Sequence, residues 1–190
     1  DELFQDFDIQ LEALQKLIRN GDCDQRQLFR NYRNPRSVGE KANSLYPDAT
    51  LPVPSRKFNT YVKIWTCLGD ADMQKVLSRK VLDLLDEGVE PGQISILTFE
   101  PRNKSKLNKI SKIGSAILVH LGYSDFPTPD TLSWSNIQAF KGLENEFIFI
   151  VELPESTLSD FDRAKLFLAL TRTLTESHII CGKKSPVLEL

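Results

Sequence analysis

The sequence has few of the residues from which disulfides, metal sites and membrane spans are built. Its three cysteines, Cys23, Cys67 and Cys181, stand far apart. This spacing fits neither a disulfide framework nor a zinc site and favours a reducing compartment. No apolar run approaches the ~18 residues of a membrane span, and the first residues show no signal-peptide pattern. We therefore expect no metal site, no membrane contact and a cytoplasmic location.

An excess of positive charge is also missing. The 24 lysines and arginines are outnumbered by 26 acidic residues, which gives a formal net charge of −2. Proteins that bind nucleic acid over their whole surface are usually basic, so a nucleic-acid contact here must be a local patch or be shared with a partner domain. The length of 190 residues, 41% of them hydrophobic, is typical of one globular domain with at most an appended segment.

Two sequence motifs of self-contained enzymes are absent as well. The chain has no G-x-x-x-x-G-K-[ST] loop, which in P-loop enzymes cradles the triphosphate and Mg²⁺. It also has no nucleophile elbow of the hydrolase type. These absences argue against an independent nucleotide hydrolase and against an unrelated α/β hydrolase or phosphotransferase.

Apolar segments with the periodicity of strands alternate with segments that have the periodicity of helices. Helices are expected at 9–20, 72–87, 105–121 and 160–174, and strands at 61–65, 94–99, 132–137, 146–151 and 178–181. The proline-rich stretch 46–57 is predicted to be a loop or an extended connector. The alternation predicts a three-layer α/β fold, in which helices cover both faces of a mainly parallel sheet.

The first cluster with chemical potential is the basic stretch 28–36. Arg30, Arg33 and Arg36 lie near Tyr32, so the segment offers guanidinium forks for phosphate beside an aromatic surface for stacking. Residue type alone leaves a second interpretation open, in which the stretch is a solvated basic face.

The second cluster is N-I-Q-A-F-K-G-L-E at 136–144. It leaves a predicted strand and turns at Gly142, close to Lys141 and Glu144. Ligands of open α/β sheets bind at the carboxyl ends of strands. A glutamate can accept hydrogen bonds from ribose hydroxyls, whereas lysine and backbone N–H groups suit phosphate. The alternative is a polar connection between two strands.

The third cluster closes the run L-F-L-A-L-T-R-T at 166–173. Arg172 ends an apolar stretch of mostly good helix formers, although a guanidinium is almost never buried without a partner. Arginine is also the residue that stabilises charge on a transferring phosphoryl group. Arg172 is therefore either an arginine finger or an arginine paired structurally with an acidic neighbour.

Together and in this order, the three clusters resemble three motifs in the second RecA-like domain of UvrD/Rep/PcrA-type superfamily 1 DNA helicases. The stretch L-F-R-N-Y-R at 28–33 is similar to the family's L-x-x-N-Y-R motif, and 136–144 is similar to T-I-H-S-x-K-G-L-E. The run L-F-L-A-L-T-R at 166–172 is similar to L-Y-V-A-L-T-R. The match covers roughly residues 28 to 182 and implies a three-layer fold of the RecA type.

The resemblance implies a role for each matching residue at an ATP site between two domains. Tyr32 would lie beside the adenine, and Glu144 would bind the ribose. Arg33 and Arg172 would reach the γ-phosphate of an ATP molecule. The ATP and its Mg²⁺ would be held mainly by a first RecA-like domain of the same protein, since this sequence lacks the P-loop.

The same resemblance implies contacts with single-stranded DNA. Asn136 and Gln138 occupy the family's Thr and His positions and would face the DNA or the cleft between the domains. Thr98 ends a strand that resembles the one before a DNA-contacting loop. Lys141 and Gly142 belong to the nucleotide-binding motif, although Lys141 could meet phosphate, DNA or a carboxylate.

The resemblance divides the chain into an N-terminal helical segment at 1–27 and a C-terminal RecA-like domain at 28–190. D-E-L-F-Q-D at 1–6 is similar to the family's D-E-x-Q-D box but has one residue too many. The segment 1–27 is thus either a remnant of the first domain, a linker to it, or a chance match. A second function stays open, that of a catalytically inactive helicase-derived module that binds DNA or protein.

The sequence contains three weaker candidates for functional residues. His120 is predicted to be a structural residue on an apolar helix face, and His178 has no second metal ligand near it. Basic residues also cluster at Arg102, Lys104, Lys106, Lys109 and Lys112. They are predicted to form either a solvated helix face or a contact with a DNA backbone.

Overall fold

The computed structural model describes residues 16–17, 19–20, 30–47, 52–56, 61–123 and 125–189. Most of the predicted helix 9–20 and of the segment 1–27 lies outside these residues, as does the box at 1–6. In the described ranges the strands are β1 (Arg30–Pro35), β2 (Val53–Arg56), β3 (Val62–Cys67), β4 (Ile94–Thr98), β5 (Lys112–Ile113), β6 (Ala116–His120), β7 (Leu132–Asn136), β8 (Asn145–Val151) and β9 (Thr173–Gly182). The longer helices of the same ranges are α1 (Arg36–Ser44), α2 (Asp70–Asp86) and α3 (Asp160–Thr171).

The central feature is a seven-stranded sheet with the order β3-β9-β8-β4-β7-β6-β5. Its neighbouring strands run parallel except for β5, which pairs antiparallel with β6 in a hairpin. The strands β1 and β2 pair with each other in a separate parallel ribbon. The predicted mainly parallel sheet is therefore confirmed.

Two apolar layers cover the sheet. In β4, Ile94 and Ile96 face the core beneath α2, whereas Leu97 faces the core beneath α1 and α3. The strand β8 alternates in the same way, with Ile150 on the α1 and α3 side and Phe149 on the other. Both strands are buried on two faces, which explains why they are almost continuously apolar. The layers confirm the predicted three-layer α/β class.

The helix predicted at 105–121 is wrong. In its place the chain forms a 3₁₀ turn at Lys106–Lys109 and then the β5–β6 hairpin. Gly114 turns the hairpin with a φ of +60°, a conformation that favours glycine and ends a helix. In β6 the burial alternates along the strand, so the apolar residues have the period of a strand rather than of a helix.

Two elements near the first cluster have no counterpart in the predictions. The strand β1 and the helix α1 are mostly polar on their open sides, and this hides their periodicity. The predicted connector at 46–57 contains β2 at Val53–Arg56, which agrees with an extended connector. No helix in the described part of the chain combines the length and the apolar character needed to cross a membrane.

Candidate functional site

The helix α3 delivers Arg172 to one edge of the sheet. The helix begins with a capping box, in which the Ser159 hydroxyl accepts a hydrogen bond from the Asp162 N–H at 3.1 Å and the Asp162 carboxylate accepts one from the Ser159 N–H at 3.1 Å. Its last helical residue is Thr171, and Arg172 is the C-cap. A cation at this position also complements the negative end of the helix dipole.

Glu144 lies at the same edge because β8 and β9 start side by side. Asn145, the first residue of β8, pairs with Thr173, the first residue of β9. The Asn145 N–H donates to the Arg172 carbonyl at 3.2 Å. Since the two strands are parallel, the residues just before them, Glu144 and Arg172, both stand at the amino edge of the sheet.

Arg33 completes the group from the separate ribbon. Its guanidinium forms an ion pair with the Glu144 carboxylate. The side chains of Arg33 and Glu144 are 39% and 48% exposed, so a ligand from solvent can reach both. The structure thus brings together Arg33, Glu144 and Arg172, which the sequence analysis drew from three distant clusters. We call these three residues the arginine–glutamate site.

The environment of Arg172 suits a negatively charged ligand. Its Nη2 donates to the Thr171 hydroxyl at 3.4 Å, while its Nε is buried and has no hydrogen-bond partner in the described part of the chain. Burial lowers the pKa of Arg172, and the positive charge of Arg33 lowers it further, whereas Glu144 raises it. Two cations and one carboxylate leave the site one positive charge in excess, which an anion would offset.

Two asparagines that the sequence analysis passed over tie the site together. Asn34 is only 2% exposed, and its Nδ2 donates to the carbonyls of Thr171 and Thr173 at 3.0 and 2.9 Å. Its Oδ1 accepts a hydrogen bond from Asn31 Nδ2 at 3.0 Å. The sequence signals are the asparagine of the N-Y-R motif and a second asparagine three residues later, a spacing that equally suits an ordinary turn.

The second cluster is divided between the two edges of the sheet. The strand β7 ends at the carboxyl edge with Asn136, and residues 137–144 then cross back to the amino edge, where β8 begins. Gly142 makes the crossing with a φ of +93° and has open space around it. The expectation that Glu144 sits at a strand's carboxyl end is therefore wrong, because this crossover is short and the sequence contains no sign of its direction.

The residues predicted to bind DNA lie at the carboxyl edge. Thr98 pairs with Asn136 across β4 and β7. Thr98 is fully buried, and its hydroxyl donates to the Glu100 carbonyl at 2.8 Å, so no ligand reaches it in this structure. The Asn136 side chain accepts a hydrogen bond from the Ala139 N–H at 2.7 Å, while Gln138 is exposed.

The remaining predicted residues are exposed. Tyr32 is 64% exposed, and its hydroxyl accepts a hydrogen bond from Arg30 Nη1 at 3.4 Å. Lys141, which precedes Gly142 in the turn at 137–142, is exposed too. The positions of Tyr32 and Lys141 leave both side chains open to a ligand, and their roles stay predictions.

The basic run follows β4, on a loop, the 3₁₀ turn and the first residue of β5 rather than on the expected helix. Glu152 anchors this turn, since its carboxylate accepts hydrogen bonds from the Lys106 N–H at 2.6 Å and from the Ser105 hydroxyl at 3.2 Å. Lys106 Nζ lies 2.8 Å from an Asp70 carboxylate oxygen. Burial raises the pKa of Glu152, and the two hydrogen bonds oppose that rise.

The two histidines serve packing. His178 is 2% exposed and stacks between Trp65 and Phe149, with its Nδ1 accepting a hydrogen bond from Trp65 Nε1 at 3.3 Å. His120 is half-buried on β6, not on a helix, and meets Trp134 edge-on at 4.6 Å between ring centroids. The described residues contain no group of three or more His, Cys, Asp or Glu side chains arranged to hold a metal ion.

Comparison with known proteins defines the class of the fold. No protein-family model matches the chain, and no curated protein matches it. Among solved structures, the chain is similar to the crystal structure of the C-terminal domain of a possible DNA helicase from Lactobacillus plantarum WCFS1. The TM-score is 0.59 at 14% sequence identity, over 83% of this chain and 92% of that one. At this identity the likeness defines a fold, the RecA-like three-layer α/β fold.

Proposed function

We propose that this chain is the C-terminal motor domain of an ATP-dependent superfamily 1 DNA helicase of the UvrD/Rep type. It supplies arginine-finger and ribose contacts to ATP that is held mainly by a P-loop domain of the same protein. Three sequence motifs in the family's order support the proposal. The fold shared with the C-terminal domain of a possible DNA helicase supports it as well.

One observation carries the proposal, namely the convergence at the arginine–glutamate site. Arg33 and Glu144 are 111 residues apart in the sequence and form an ion pair, and Arg172 lies close enough for both to influence its pKa. Three segments that are far apart in the sequence thus place two guanidinium groups and a carboxylate at one sheet edge. ATP offers both a phosphate for the arginines and ribose hydroxyls for the carboxylate.

In the proposed mechanism, Arg33 and Arg172 stabilise the charge that develops on the γ-phosphate when the cleft between the two domains closes. The arginines approach from outside the P-loop, as an arginine finger does. Mg²⁺ would be held with the triphosphate by the partner domain and would supply charge neutralisation there. We assign no residue of this chain to the metal.

The remaining nucleotide contacts are assigned to side chains that are exposed to solvent. Glu144 exchanges its ion pair with Arg33 for the ribose hydroxyls, which frees Arg33 for the phosphate. Tyr32 offers its exposed ring to the adenine. Lys141 and Gly142 stand on the crossover that leads to Glu144, with the lysine open to a phosphate.

Single-stranded DNA is the proposed second ligand, at the carboxyl edge. Gln138 is the most accessible of the three predicted DNA contacts, and Asn136 positions the turn that carries it. Thr98 does not contact DNA directly. Its hydroxyl donates to the carbonyl of Glu100 and so positions the start of the basic loop.

The proposal is tested by the substitution Arg172→Ala in the full-length protein. We expect kcat for DNA-stimulated ATP hydrolysis to fall by about 10³-fold, the usual effect of removing an arginine finger. Arg36→Ala is the matched control, because Arg36 lies on α1 and pairs with Glu40 at 2.7 Å instead of entering the site. The control should keep wild-type turnover.

Wild-type turnover in Arg172→Ala would mean that this arginine is structural. A full-length wild-type protein that binds DNA without hydrolysing ATP would instead favour the non-catalytic helicase-derived module.

A further inference from the structure

We infer that Asn34 is a positioning residue that fixes the two arginines of the arginine–glutamate site relative to each other. The inference rests on the proposed function for its catalytic consequence, but the coupling itself is a property of the folded chain. The family motif at 28–33 ends one residue before Asn34, and the sequence analysis gives Asn34 no role. Asn34 follows Arg33 directly on β1, and its side chain contacts the residues on either side of Arg172.

The first half of the coupling holds Arg172. Asn34 Nδ2 donates to the carbonyls of Thr171 and Thr173 at 3.0 and 2.9 Å, which are the residues on either side of Arg172. Both amide hydrogens of Asn34 are therefore used on the peptide groups that flank one arginine. These bonds define where the Arg172 side chain leaves the backbone.

The second half holds Arg33. Asn31 Oδ1 accepts hydrogen bonds from the N–H groups of Arg33 and Asn34 at 3.0 and 3.2 Å. Asn31 Nδ2 donates to Asn34 Oδ1 at 3.0 Å. A continuous chain of hydrogen bonds thus runs from the Arg33 backbone through Asn31 and Asn34 to the backbone around Arg172.

Regular strand pairing does not provide this alignment. The pairing of β8 with β9 shifts register between Asn145 and Phe147, and that of β1 with β2 shifts between Asn31 and Pro35. Such irregularities leave backbone groups outside the ladder. The side-chain amide of Asn34 supplies donors at this point. It bonds the Thr171 carbonyl at the end of α3, where a helix leaves its carbonyls without internal partners, and the Thr173 carbonyl at the start of β9.

The position of the guanidinium groups matters for catalysis. A reacting group displaced by about 1 Å can lose about 10²-fold in rate. The Arg172 side chain has few polar contacts of its own, since its Nε is buried without a partner and its Nη2 makes one long hydrogen bond in the described part of the structure. After a loss of the Asn34 bonds, the Arg172 backbone keeps its hydrogen bonds to Ala169 and Asn145, but the peptide groups on either side of it lose their side-chain donor. We expect the Arg172 side chain to become more mobile as a result.

The coupling is tested first in this chain without nucleotide, by ¹H–¹⁵N spectra of the arginine Nε–H groups. Arg33→Lys and Arg172→Lys variants assign the two signals. In Asn34→Ala we expect both signals to move, and the Arg172 Nε–H to exchange with solvent about tenfold faster because its surroundings open locally. The isosteric Asn34→Asp, which lacks both donors, should act in the same way.

Asn43→Ala is the matched control. It also removes a side-chain amide that donates to a backbone carbonyl, that of Pro52 at 3.1 Å, but near the C-terminal end of α1. It should leave the arginine signals unchanged. If Asn34→Ala does not fold, Asn31→Ala removes the outer half of the same chain of bonds and should shift the Arg33 signal. Unchanged arginine signals in a folded Asn34 variant, or in Asn31→Ala, overturn the inference.

The second arm measures ATP hydrolysis by the full-length protein. We expect Asn34→Ala to lower kcat by about 10- to 100-fold while KM for ATP changes by less than about twofold, since the partner domain binds most of the nucleotide. An unchanged kcat overturns the catalytic role of Asn34. If the wild type does not hydrolyse ATP, the proposed function fails, and the arginine signals alone then decide whether Asn34 positions the two side chains.

Discussion

At the scale of single residues, the groups around Arg172 say more about its role than the helix that it ends. An arginine at the end of an apolar helix is compatible with a dipole contact, an ion pair or a ligand site. The buried Nε without a partner and the nearby positive charge of Arg33 favour a ligand site over an ion pair. Arg172 makes no ion pair in the described residues, while Glu144 pairs with the other arginine.

Glu144→Gln tests whether the ion pair with Arg33 is structural. Both side chains are more than a third exposed, and exposed pairs contribute about 0–1 kcal/mol. We therefore expect the free energy of unfolding, measured in urea, to fall by less than about 1 kcal/mol. A loss well above that value would assign the pair to the fold rather than to a ligand.

Glu176 is expected to give the stability a pH dependence. Burial alone raises its pKa, but contacts with His178 and Lys63 bring the pKa below its ordinary value. Lys63 Nζ and His178 Nε2 lie 2.5 and 2.7 Å from Glu176 Oε1. A carboxyl group with a lowered pKa stabilises the folded state above its ordinary pKa of about 4.3, and the gain is lost as the pH falls through the folded pKa.

The measurement is the free energy of unfolding of wild type and Glu176→Gln between neutral pH and pH 3. The variant should be less stable by about 2 kcal/mol at neutral pH, and the difference should shrink as the pH falls through the acid range. A difference that is constant with pH would contradict the assignment.

At the scale of elements, the predictions succeed where a segment is apolar on both faces or has one clear period. The strands β4 and β8 and the helices α2 and α3 fall within a few residues of their predicted ranges. The stretch 105–121 fails because its apolar residues satisfy both a helical and an alternating pattern. Gly114 was the available signal against a helix.

Gly114→Ala is expected to destabilise the β5–β6 hairpin. A φ of +60° costs an alanine about 1 kcal/mol, and its Cβ would approach Leu82 Cδ2 to 2.6 Å, which adds overpacking. Gly88→Ala is the matched control, since Gly88 has a φ of +93° but nothing within 4 Å of the new atom. In urea unfolding, Gly114→Ala should lose more stability than Gly88→Ala by about 1 kcal/mol. Equal losses of stability in the two variants would show that the Leu82 side chain moves aside without a measurable cost.

At the scale of the whole molecule, the layers of the fold can be predicted from the sequence. The edge of the sheet on which each site residue stands cannot. Alternating strands and helices predict the parallel sheet and its two covers. The direction of residues 137–144, and hence the edge on which Glu144 stands, depends on a crossover with little periodicity. The pairing of Arg33 with Glu144 depends on it too, and no local pattern encodes a contact over 111 residues.

The 190-residue chain by itself is expected to show no ATP hydrolysis above background. It has arginines for a phosphate but no P-loop for the triphosphate. The measurement is phosphate release with Mg²⁺ and ATP, with and without single-stranded DNA. Robust Mg²⁺-dependent turnover by this chain would contradict both the prediction and the two-domain mechanism.

The placement of the arginine–glutamate site and Gln138 at opposite edges has a mechanical consequence. The two edges are separated by the length of β8, seven residues or roughly 20 Å. Hydrogen-bonded parallel strands are stiff along their length. A displacement of the amino edge, where the arginines stand, is therefore expected to tilt the sheet as a whole and to move the carboxyl edge with it. For the proposed helicase function, this stiffness would link a movement at the ATP site to a movement at Gln138 over the length of one strand.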